Sequence, residues 1–368
     1  MKKLGEMREA EFERAEHLMQ SAVAAGVFPG AVLLAANGPT VVFHRAYGVA
    51  DLTTGRRVGL KTVFDLASLT KPLATTLAIL HLAADGQLTL DTSLDMLLPA
   101  FNHQPAARVT VAQLLRHTSG LPAWRPYYES LRWFPSNQRR DVFHHHLAAT
   151  PLEQASGSGV LYSDLNFMIL CWVAEVLSDE RLDQLVEKRI YGPLGVAPLS
   201  FVPLDGPQPT VDYAATEYCP WRGLICGQVH DDNCHILGGV CGHAGLFGSA
   251  AAVHRLLNHL LAAYQGRGVE SVLPSDWVRL FLKVPHDGGR PLGFDVPSAN
   301  PPACGRHFSR NSVGHLGFTG TSFWVDLDRS VIVILLTNRV HPSRENGAIK
   351  DFRPVLHDAV MSGFGVQS

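Results

Sequence analysis

The chain has 368 residues, of which 46% are hydrophobic and 17% charged, a composition that predicts a compact protein with a large core and excludes a disordered one. Its formal net charge of −2 gives no reason to expect a nucleic acid partner. The N-terminal segment lacks the apolar region of a signal peptide, and no membrane-spanning run is visible. We therefore expect a cytoplasmic protein with no membrane partner, whose six cysteines are free thiols.

The first quarter of the chain shows helix and strand signals and then one unusually apolar helix. Apolar residues of that helix lie on nearly every side, which is typical of a helix buried in the middle of a domain. In chain order, the signals are an amphipathic helix at 9–25, strands at 30–36 and 41–47 around the hairpin turn Asn37-Gly38, an extended run at 62–66, and the apolar helix, which ends near Gly86.

Ser68 and Lys71 lie at the start of the apolar helix. A serine at this position can cap the helix, and one helical turn brings the Lys71 amine onto the face that carries the Ser68 hydroxyl. A serine and a lysine so arranged are typical of a nucleophile and its base. The alternative is that Ser68 is only a cap. Against this, Ser-x-x-Lys occurs once in the chain, and a buried lysine needs a task or a partner.

The middle of the chain is mainly helical, and strands return near the C-terminus. Because strands lie toward both ends, we expect sequence-distant segments to share one antiparallel sheet in an α+β fold, flanked by the N- and C-terminal helices. Residues 1–84 and 286–368 would form this sheet-and-helix domain, and residues 85–285 a mainly helical domain. The further signals are helices at 111–115, 166–177, 181–191 and 249–264, strands at 315–321, 322–326 and 331–337, and a last helix at 346–361.

Several common functional motifs are absent from the sequence. It contains no Gly-x-Ser-x-Gly elbow, no His-Glu-x-x-His, and neither of the glycine-rich nucleotide-binding patterns. We therefore expect no cofactor. A group of cysteines and histidines raises the possibility of zinc, but no pair has the short spacing that makes chelation local, so we expect no metal. The group comprises Cys219, Cys226, Cys234, Cys241, His230, His235 and His243.

Three stretches resemble, in their order and separation, motifs of the serine β-lactamase and penicillin-binding-protein superfamily, specifically its class C branch. The stretches are Ser68-Leu69-Thr70-Lys71, Tyr162-Ser163-Asp164 in place of Tyr-x-Asn, and His315-Leu316-Gly317 in place of Lys-Thr-Gly or the His-x-Gly of esterase-like members. Accessory stretches at 114–122 and 191–195 extend the resemblance over nearly the whole chain. It implies a β-lactamase/transpeptidase-like fold, with the active site between the sheet and the helical domain.

The resemblance also implies a role for each matching residue. Ser68 would be the nucleophile that becomes acylated, Lys71 its partner, and Tyr162 the group that carries the proton between Ser68 and the leaving group. His315 and Gly317 would line the opposite wall of the site. The backbone N–H groups of Ser68 and of Phe318, the residue after Gly317, would form the oxyanion hole.

Two positions depart from the pattern of the superfamily. Asp164 replaces the usual asparagine and would place a carboxylate near Lys71, which favours the protonated lysine and moves the role of base toward Tyr162. Alternatively, Asp164 simply caps the helix that follows it. His315 replaces a lysine, so the site loses a fixed cation for a substrate carboxylate, and we expect β-lactamase activity to be weak or absent.

A glycine-rich loop at 227–245 resembles a feature of some cell-wall-related members, among them muropeptide amidases. We expect it to pack against the cleft and to present His230 or His243 to the substrate. The sequence thus predicts a serine hydrolase that acylates Ser68 and hydrolyses an ester or amide in a small molecule or short peptide. The alternatives are an amidase or peptidase acting on peptidoglycan fragments and a non-catalytic, peptide-binding member. The natural substrate and the oligomeric state stay open.

Overall fold

A computed structural model describes residues 11–206, 211–285, 289–297 and 302–366. The strands are β1 (Gly30–Asn37), β2 (Thr40–Asp51), β3 (Arg56–Arg57), β4 (Phe64–Asp65), β5 (Leu199–Phe201), β6 (Tyr218–Cys219), β7 (Gly223–Leu224), β8 (Leu246–Gly248), β9 (Ser312–Leu316), β10 (Ser322–Asp326) and β11 (Val331–Thr337). The principal sheet has six strands in the order β3-β2-β1-β11-β10-β9, and a smaller sheet has the order β4-β8-β5.

Thirteen α-helices surround these sheets in the described residues. They are α1 (Glu13–Ala24), α2 (Thr76–Ala84), α3 (Leu94–Leu97), α4 (Val111–Leu115), α5 (Tyr127–Leu131), α6 (Ser136–Ala148), α7 (Asp164–Ser178), α8 (Leu182–Val186), α9 (Gly192–Leu194), α10 (Asp232–Ile236), α11 (Ala250–Tyr264), α12 (Ser275–Leu282) and α13 (Ile349–Gly363). None of the helices described is long and apolar enough to cross a membrane.

The prediction that distant segments share one antiparallel sheet is confirmed. Strand β1 pairs antiparallel with β11, with Ala31 opposite Thr337, and β2 pairs with the other edge of β1 through the predicted hairpin. The side chains of β1 alternate between two cores, as the period of a strand requires. Leu33 packs with the terminal helices α1 and α13, whereas Leu34 packs with the cluster that contains α2 and α11. Each such buried aliphatic side chain contributes about 1.5–3 kcal/mol.

Helix α11 packs on the sheet, although the predicted domain division placed it in the helical part. Its apolar residues, among them Leu256 and Leu260, share one core with Val32 and Ile334 of the sheet. Two distant sheet strands, β1 and β11, are its neighbours. The division into two domains stays a proposal, and this packing moves α11 to the sheet side of it.

The entry to the apolar helix differs from the prediction that Ser68 caps it. Ser68 lies inside a 3₁₀ turn, Ala67–Leu69, and caps no helix end. A π-helical turn, Lys71–Thr75, follows before α2 begins. Ala67 has a φ of 47°, a left-handed conformation that costs free energy in a non-glycine residue and is concentrated at functional sites. The turn therefore holds Ser68 in a strained segment rather than at a relaxed helix start.

The strand predicted at 315–321 is wrong in its bounds. Strand β9 ends at Leu316, and residues 317–321 form the tight turn that leads into β10. Gly317 makes this turn possible, because a Cβ there would lie 2.0 Å from Thr321 Oγ1 and 2.7 Å from the carbonyl oxygen of Leu66. The turn thereby packs directly against the segment that carries Ser68. Strand β4 lies within the extended run predicted at 62–66, whereas the short strands β3 and β5 to β8 were missed because each has only two or three residues.

Candidate active site

The Lys71 ammonium group is the centre of a compact polar cluster. Its Nζ donates to Ser68 Oγ at 2.9 Å and to the carbonyl oxygen of His243 at 3.3 Å, and it lies 2.7 Å from Asp164 Oδ1. Three acceptors for three N–H donors satisfy a protonated lysine completely. The Lys71 side chain has no exposed surface. The packing around it and these three contacts therefore hold the amine in one position.

The charge environment of Lys71 favours the ammonium form. Burial by itself lowers the pKa of Lys71, but the Asp164 carboxylate and the Tyr162 side chain outweigh that effect, so the pKa lies above its ordinary value. Asp164 is the first residue of α7 and makes no capping hydrogen bond. Of the two interpretations of Asp164, the structure therefore favours the ion pair with Lys71.

Tyr162 lies between the helical part of the protein and strand β9. Its ring contacts the rings of His117, with centroids 4.5 Å apart, and His315, with centroids 5.9 Å apart. Two cations flank the same ring, Lys71 Nζ at 5.0 Å and the Arg290 guanidinium at 5.6 Å from the centroid. His117 Nδ1 accepts a hydrogen bond from the backbone N–H of Ser163 at 3.0 Å, which anchors the segment next to Tyr162.

His315 is neutral in this environment. Burial lowers the pKa of His315 well below its ordinary value, and the positive charges of Lys71 and Arg290 lower it further. Its Nδ1 lies 2.9 Å from the carbonyl oxygen of Leu316, so this nitrogen carries the proton and donates it there. The prediction that position 315 supplies no fixed cation agrees with this environment.

Ser68 lies where two cavities meet, and together they form one cleft between the sheet and the helices. The first, which we call the acidic arm, measures about 430 Å³ and is lined by Asp164, Asp231, Asp232, His230 and His243, among others. The second, the basic arm, measures about 690 Å³ and is lined by Arg290, Arg339, Lys350, Arg353, Asp295 and Glu345, among others. Four residues line both arms: Ser68, Tyr162, Phe318 and Arg344.

The structure brings all nine predicted site residues together. Eight line the two arms, and Lys71 lies buried beside Ser68. His315 and Gly317 lie on the basic side, with Phe318 at the junction, whereas Asp164, His230 and His243 lie on the acidic side.

The glycine-rich loop packs against the cleft as predicted, but His243 does not present its ring to a substrate. His243 is 1% exposed, and its Nε2 lies 2.9 Å from Asp231 Oδ1. Burial alone lowers the pKa of His243, but the Asp231 carboxylate raises it well above the ordinary value, so the two form a buried ion pair. The contact of His243 with Lys71 is made through its backbone carbonyl.

His230 is held on both sides by acidic residues. Its backbone N–H donates to Asp65 Oδ2 at 2.7 Å, and its Nε2 lies 3.1 Å from Glu217 Oε2. Its ring stacks on the ring of Phe318, with centroids 5.7 Å apart. Arg344 also pairs with Glu217, donating from Nε at 2.7 Å. The loop thus contacts the predicted oxyanion segment through the Phe318 side chain.

Sequence reasoning missed the arginines of the cleft. Arg290, Arg339, Arg344 and Arg353 lie outside every motif considered, and the basic arm has five positively charged and two negatively charged lining side chains. Position 315 supplies no fixed cation, but these arginines place other positive charges in the cleft. Arginine residues clustered between 339 and 353, directly after the last strand, were the available signal.

The cysteine-rich region has no arrangement for a metal. All six cysteines lie in described parts of the chain and are unpaired, and only Cys226 is exposed. Within the described ranges, no three histidine, cysteine or acidic side chains cluster in a way that could hold a metal ion. Cys234 Sγ instead lies 3.3 Å from the carbonyl oxygen of Ala244, inside the core of the loop.

The fold, the buried Ser68-Lys71 pair and the cleft between sheet and helices agree with a comparison against known families. Residues 15–353 match the family described as Beta-lactamase. The chain belongs to the β-lactamase family. This confirms the resemblance to the superfamily, over nearly the whole chain; the assignment to the class C branch stays a prediction.

Two curated relatives are similar to this β-lactamase-family protein over most of their own length. The N-acetylmuramyl-L-alanine amidase of Bacillus subtilis (strain 168) is 28% identical over 376 aligned residues, covering 90% of this chain and 81% of the relative. A protein of Escherichia coli (strain K12) named "Putative D-alanyl-D-alanine carboxypeptidase" is 29% identical over 345 aligned residues, covering 85% of this chain and 79% of the relative.

Solved structures confirm the β-lactamase/transpeptidase-like fold. EstCE1, a hydrolase with promiscuous acyltransferase activity, superposes with a TM-score of 0.76 at 22% identity, covering 96% of this chain and 99% of its own. The octameric penicillin-binding protein homologue from Pyrococcus abyssi superposes with a TM-score of 0.69 at 20% identity, covering 89% and 73%. Taken with the family match, the predicted class of enzyme is confirmed: a hydrolase of the serine β-lactamase and penicillin-binding-protein superfamily.

Proposed function

We propose that this protein is a class C-like acyl-enzyme hydrolase that uses Ser68 as its nucleophile on an ester or amide substrate. The observation that carries the proposal is the 2.9 Å hydrogen bond from the buried Lys71 ammonium to Ser68 Oγ. A bond from a cation orients the hydroxyl toward the cleft and stabilises negative charge that develops on its oxygen. A non-catalytic, peptide-binding member would not need this arrangement.

Tyr162 is the base in the proposed reaction. Lys71 in its ammonium form has no lone pair to accept the Ser68 proton, because Asp164 keeps it protonated. Tyr162 in its phenolate form can accept that proton, and Lys71 and Arg290 near its ring stabilise the negative charge that this role requires. The proton then passes to the leaving group as the bond from Ser68 Oγ to the carbonyl carbon replaces the bond that breaks.

Water completes the cycle by attacking the acyl-enzyme. Tyr162 accepts a proton from that water and returns it to Ser68 Oγ as the acyl bond breaks, which releases the acid and restores the free enzyme. The backbone N–H groups of Ser68 and Phe318 would bind the oxyanion in both steps. Loss of one such donor typically costs 10²–10³ in kcat, on the order of 3 kcal/mol.

The basic arm supports a substrate that carries a carboxylate. Arg290 lies next to Tyr162 and is 14% exposed, and its Nη2 pairs with Asp295 Oδ1 at 2.7 Å. The excess of positive over negative side chains along this arm favours an anionic group a short distance from Ser68. A neutral His315 leaves recognition of that group to the arginines.

A second candidate is an amidase or peptidase acting on peptidoglycan fragments. The names of both relatives refer to activities of this kind, and fragments of stem peptides end in carboxylates that suit the basic arm. The two candidates share Ser68 and the acyl-enzyme and differ only in the acyl donor. A panel of activated esters, peptides ending in D-alanyl-D-alanine, muramyl-L-alanine peptides and penicillins separates them by kcat/KM.

Labelling with a fluorophosphonate, read by intact mass, tests the nucleophile. The wild type should gain one adduct, and Ser68→Ala should gain none and lose hydrolysis of every substrate in the panel. Ser158→Ala is a matched control, because Ser158 is exposed and, within the described ranges, its hydroxyl bonds only to the carbonyl oxygen of Ala155. An adduct that persists in Ser68→Ala would refute the assignment.

A further inference from the structure

Two buried arginines hold the peptide that would supply the oxyanion hole. Arg353 Nη2 donates to the carbonyl oxygen of Gly317 at 3.2 Å and to that of Thr321 at 3.0 Å. Arg339 Nε donates to the carbonyl oxygen of Phe318 at 2.8 Å. Consecutive carbonyl groups of the turn after β9 are thus fixed by separate guanidinium groups.

Arg353 is unusual for a buried cation. It is 6% exposed, and no carboxylate in the described ranges pairs with it. A buried charge without a counterion is costly, so such a residue is retained only where other contacts compensate. Its neutralising contacts are the backbone carbonyls of the turn, and its Nε has no partner among the described groups. The contacts of the Arg353 side chain therefore indicate that it binds these two carbonyl groups.

The geometry of a peptide links the Gly317 carbonyl to the Phe318 N–H. The bond between the two residues is trans, as cis bonds in the described chain occur only before Pro198 and Pro342. In a trans peptide the C=O and the following N–H point in opposite directions within one plane. An arginine that holds the oxygen therefore also sets the direction of the hydrogen.

The Phe318 N–H donates to no protein group in the described parts of the chain, whereas the neighbouring Gly317 N–H donates to the Thr321 carbonyl at 2.7 Å. A free donor next to Ser68, at the junction of both arms, is what an oxyanion hole requires. A cation on the carbonyl also polarises the peptide and strengthens its N–H as a donor.

We propose that Arg353 is a positioning residue for the oxyanion hole, acting on the Phe318 N–H through the Gly317 carbonyl. The inference rests on the proposed function, and it adds a residue on the C-terminal helix α13, distant in sequence from Ser68. Arg339 supports the same segment, since it binds the Phe318 carbonyl and its guanidinium lies 4.6 Å from the centroid of the Phe318 ring.

The competing role for Arg353 is direct binding of a substrate carboxylate, because the residue lines the basic arm. The two roles predict different kinetics. A carboxylate ligand acts on KM, and only for substrates that carry the anion. A positioning residue acts on kcat for neutral esters as well, and its loss reduces the preference for an oxyanion over a poorer hydrogen-bond acceptor.

A neutral p-nitrophenyl ester and its thiono counterpart provide this readout, because sulfur is a weak hydrogen-bond acceptor. In Arg353→Met, kcat for the oxygen ester should fall by about 100-fold. The rate ratio of oxygen ester to thionoester should fall by about tenfold or more, since the sulfur of the thionoester accepts weaker hydrogen bonds from the oxyanion hole and loses less when the hole is displaced. Partial unfolding lowers both rates equally and leaves the ratio unchanged.

Arg353→Lys should recover part of the ratio, because it keeps a cation and one donor near the turn. Arg329→Gln is the matched control: Arg329 pairs with Asp326 at the other end of β10, and its loss should leave the ratio at the wild-type value. An unchanged ratio in Arg353→Met, with KM raised only for carboxylate substrates, would overturn the proposal in favour of direct binding. An unchanged ratio with a lower kcat would reduce Arg353 to a structural role.

A measurement without turnover separates this inference from the proposed function. In protein labelled with ¹⁵N-phenylalanine, the Phe318 amide signal is assigned by its loss in Phe318→Leu. Arg353→Met should shift that signal, and Arg329→Gln should not. If Ser68→Ala retained activity, the proposed function would fail while this signal still decided the role of Arg353. A Phe318 signal unmoved in Arg353→Met would refute the positioning role.

Discussion

Asp164→Asn removes the carboxylate that pairs with Lys71 and keeps the size of the side chain and one acceptor oxygen. In the wild type the charged atoms lie 2.7 Å apart. Two unit charges at that distance attract by about 6 kcal/mol at an effective dielectric constant of about 20. Removing one partner of a buried pair typically costs about 3–5 kcal/mol. Because the Asp164 side chain is 19% exposed, we expect the free energy of unfolding to fall by an amount near the lower limit, about 3 kcal/mol.

The variant regains part of this unfolding free energy when Lys71 loses its proton, because a neutral amine needs no counterion. This predicts a shift in the pH dependence of activity. Without Asp164, burial is the dominant influence and lowers the pKa of Lys71. A neutral Lys71 can then take the role of base from Tyr162, so the ascending limb of kcat/KM, which reports the base of the free enzyme, should move to lower pH. Tyr162→Phe and Lys71→Ala apportion the role of base between the two residues.

The free energy of unfolding should change its pH dependence as well. In the wild type the pKa of Lys71 lies above the 10.5 of the unfolded chain, so this stability is complete below pH 10.5 and is lost as the pH rises through the folded value. In the variant the folded pKa lies below that of the unfolded chain, so stability rises with pH up to 10.5. The difference between the two proteins, measured by urea denaturation, should shrink from pH 7 toward pH 10.

Asp205→Asn is the control for this experiment. Asp205 pairs with Arg181 and is 70% exposed, so its loss should cost under about 1 kcal/mol and leave the kcat/KM profile in place. If the ascending limb in Asp164→Asn stays where it is in the wild type, and the difference in unfolding free energy does not depend on pH, the ion pair does not set the protonation of the site.

Three further predictions concern the wall formed by β9 and the basic arm. Gly317→Ala should lower kcat for neutral esters by about 100-fold, because the new Cβ would meet Thr321 Oγ1 at 2.0 Å and displace the turn; a change within twofold would contradict this. The pKa of His315 is depressed in the folded protein, so below pH 6.5 its protonation in the unfolded chain opposes folding. His315→Gln should therefore lose less stability than the wild type as the pH falls below 6.5, and urea denaturation at pH 5 and pH 7 measures the two free energies of unfolding. Arg290→Gln should raise KM about tenfold for carboxylate-bearing substrates and leave KM for neutral esters unchanged, and an equal effect on both would exclude Arg290 from recognition of the anion.

Local patterns in the sequence determined much of the fold. The turn at Asn37-Gly38, the apolar period of the helices and the β-branched runs are properties of neighbouring residues, so they could be recognised without a structure. That strands from both ends of the chain share one sheet, as β1 and β11 do, followed from the distribution of strands along the chain. Ser68 and Lys71 could be nominated from their spacing at a helix start, and Tyr162 from the resemblance of the three motifs to one superfamily.

Only the tertiary structure decided the electrostatics of the site. Whether Asp164 caps α7 or pairs with Lys71 depends on how α7 packs against the turn that carries Lys71, and the ion pair of His243 with Asp231 depends on how the glycine-rich loop folds. Arg290 and Arg353 carry no motif, because a guanidinium group gains a role from the carbonyl, carboxylate or ring that the fold brings to it. Long-range contacts of this kind have no period and no fixed spacing in the chain, so they become visible only when the sheet and the helices are assembled around Ser68.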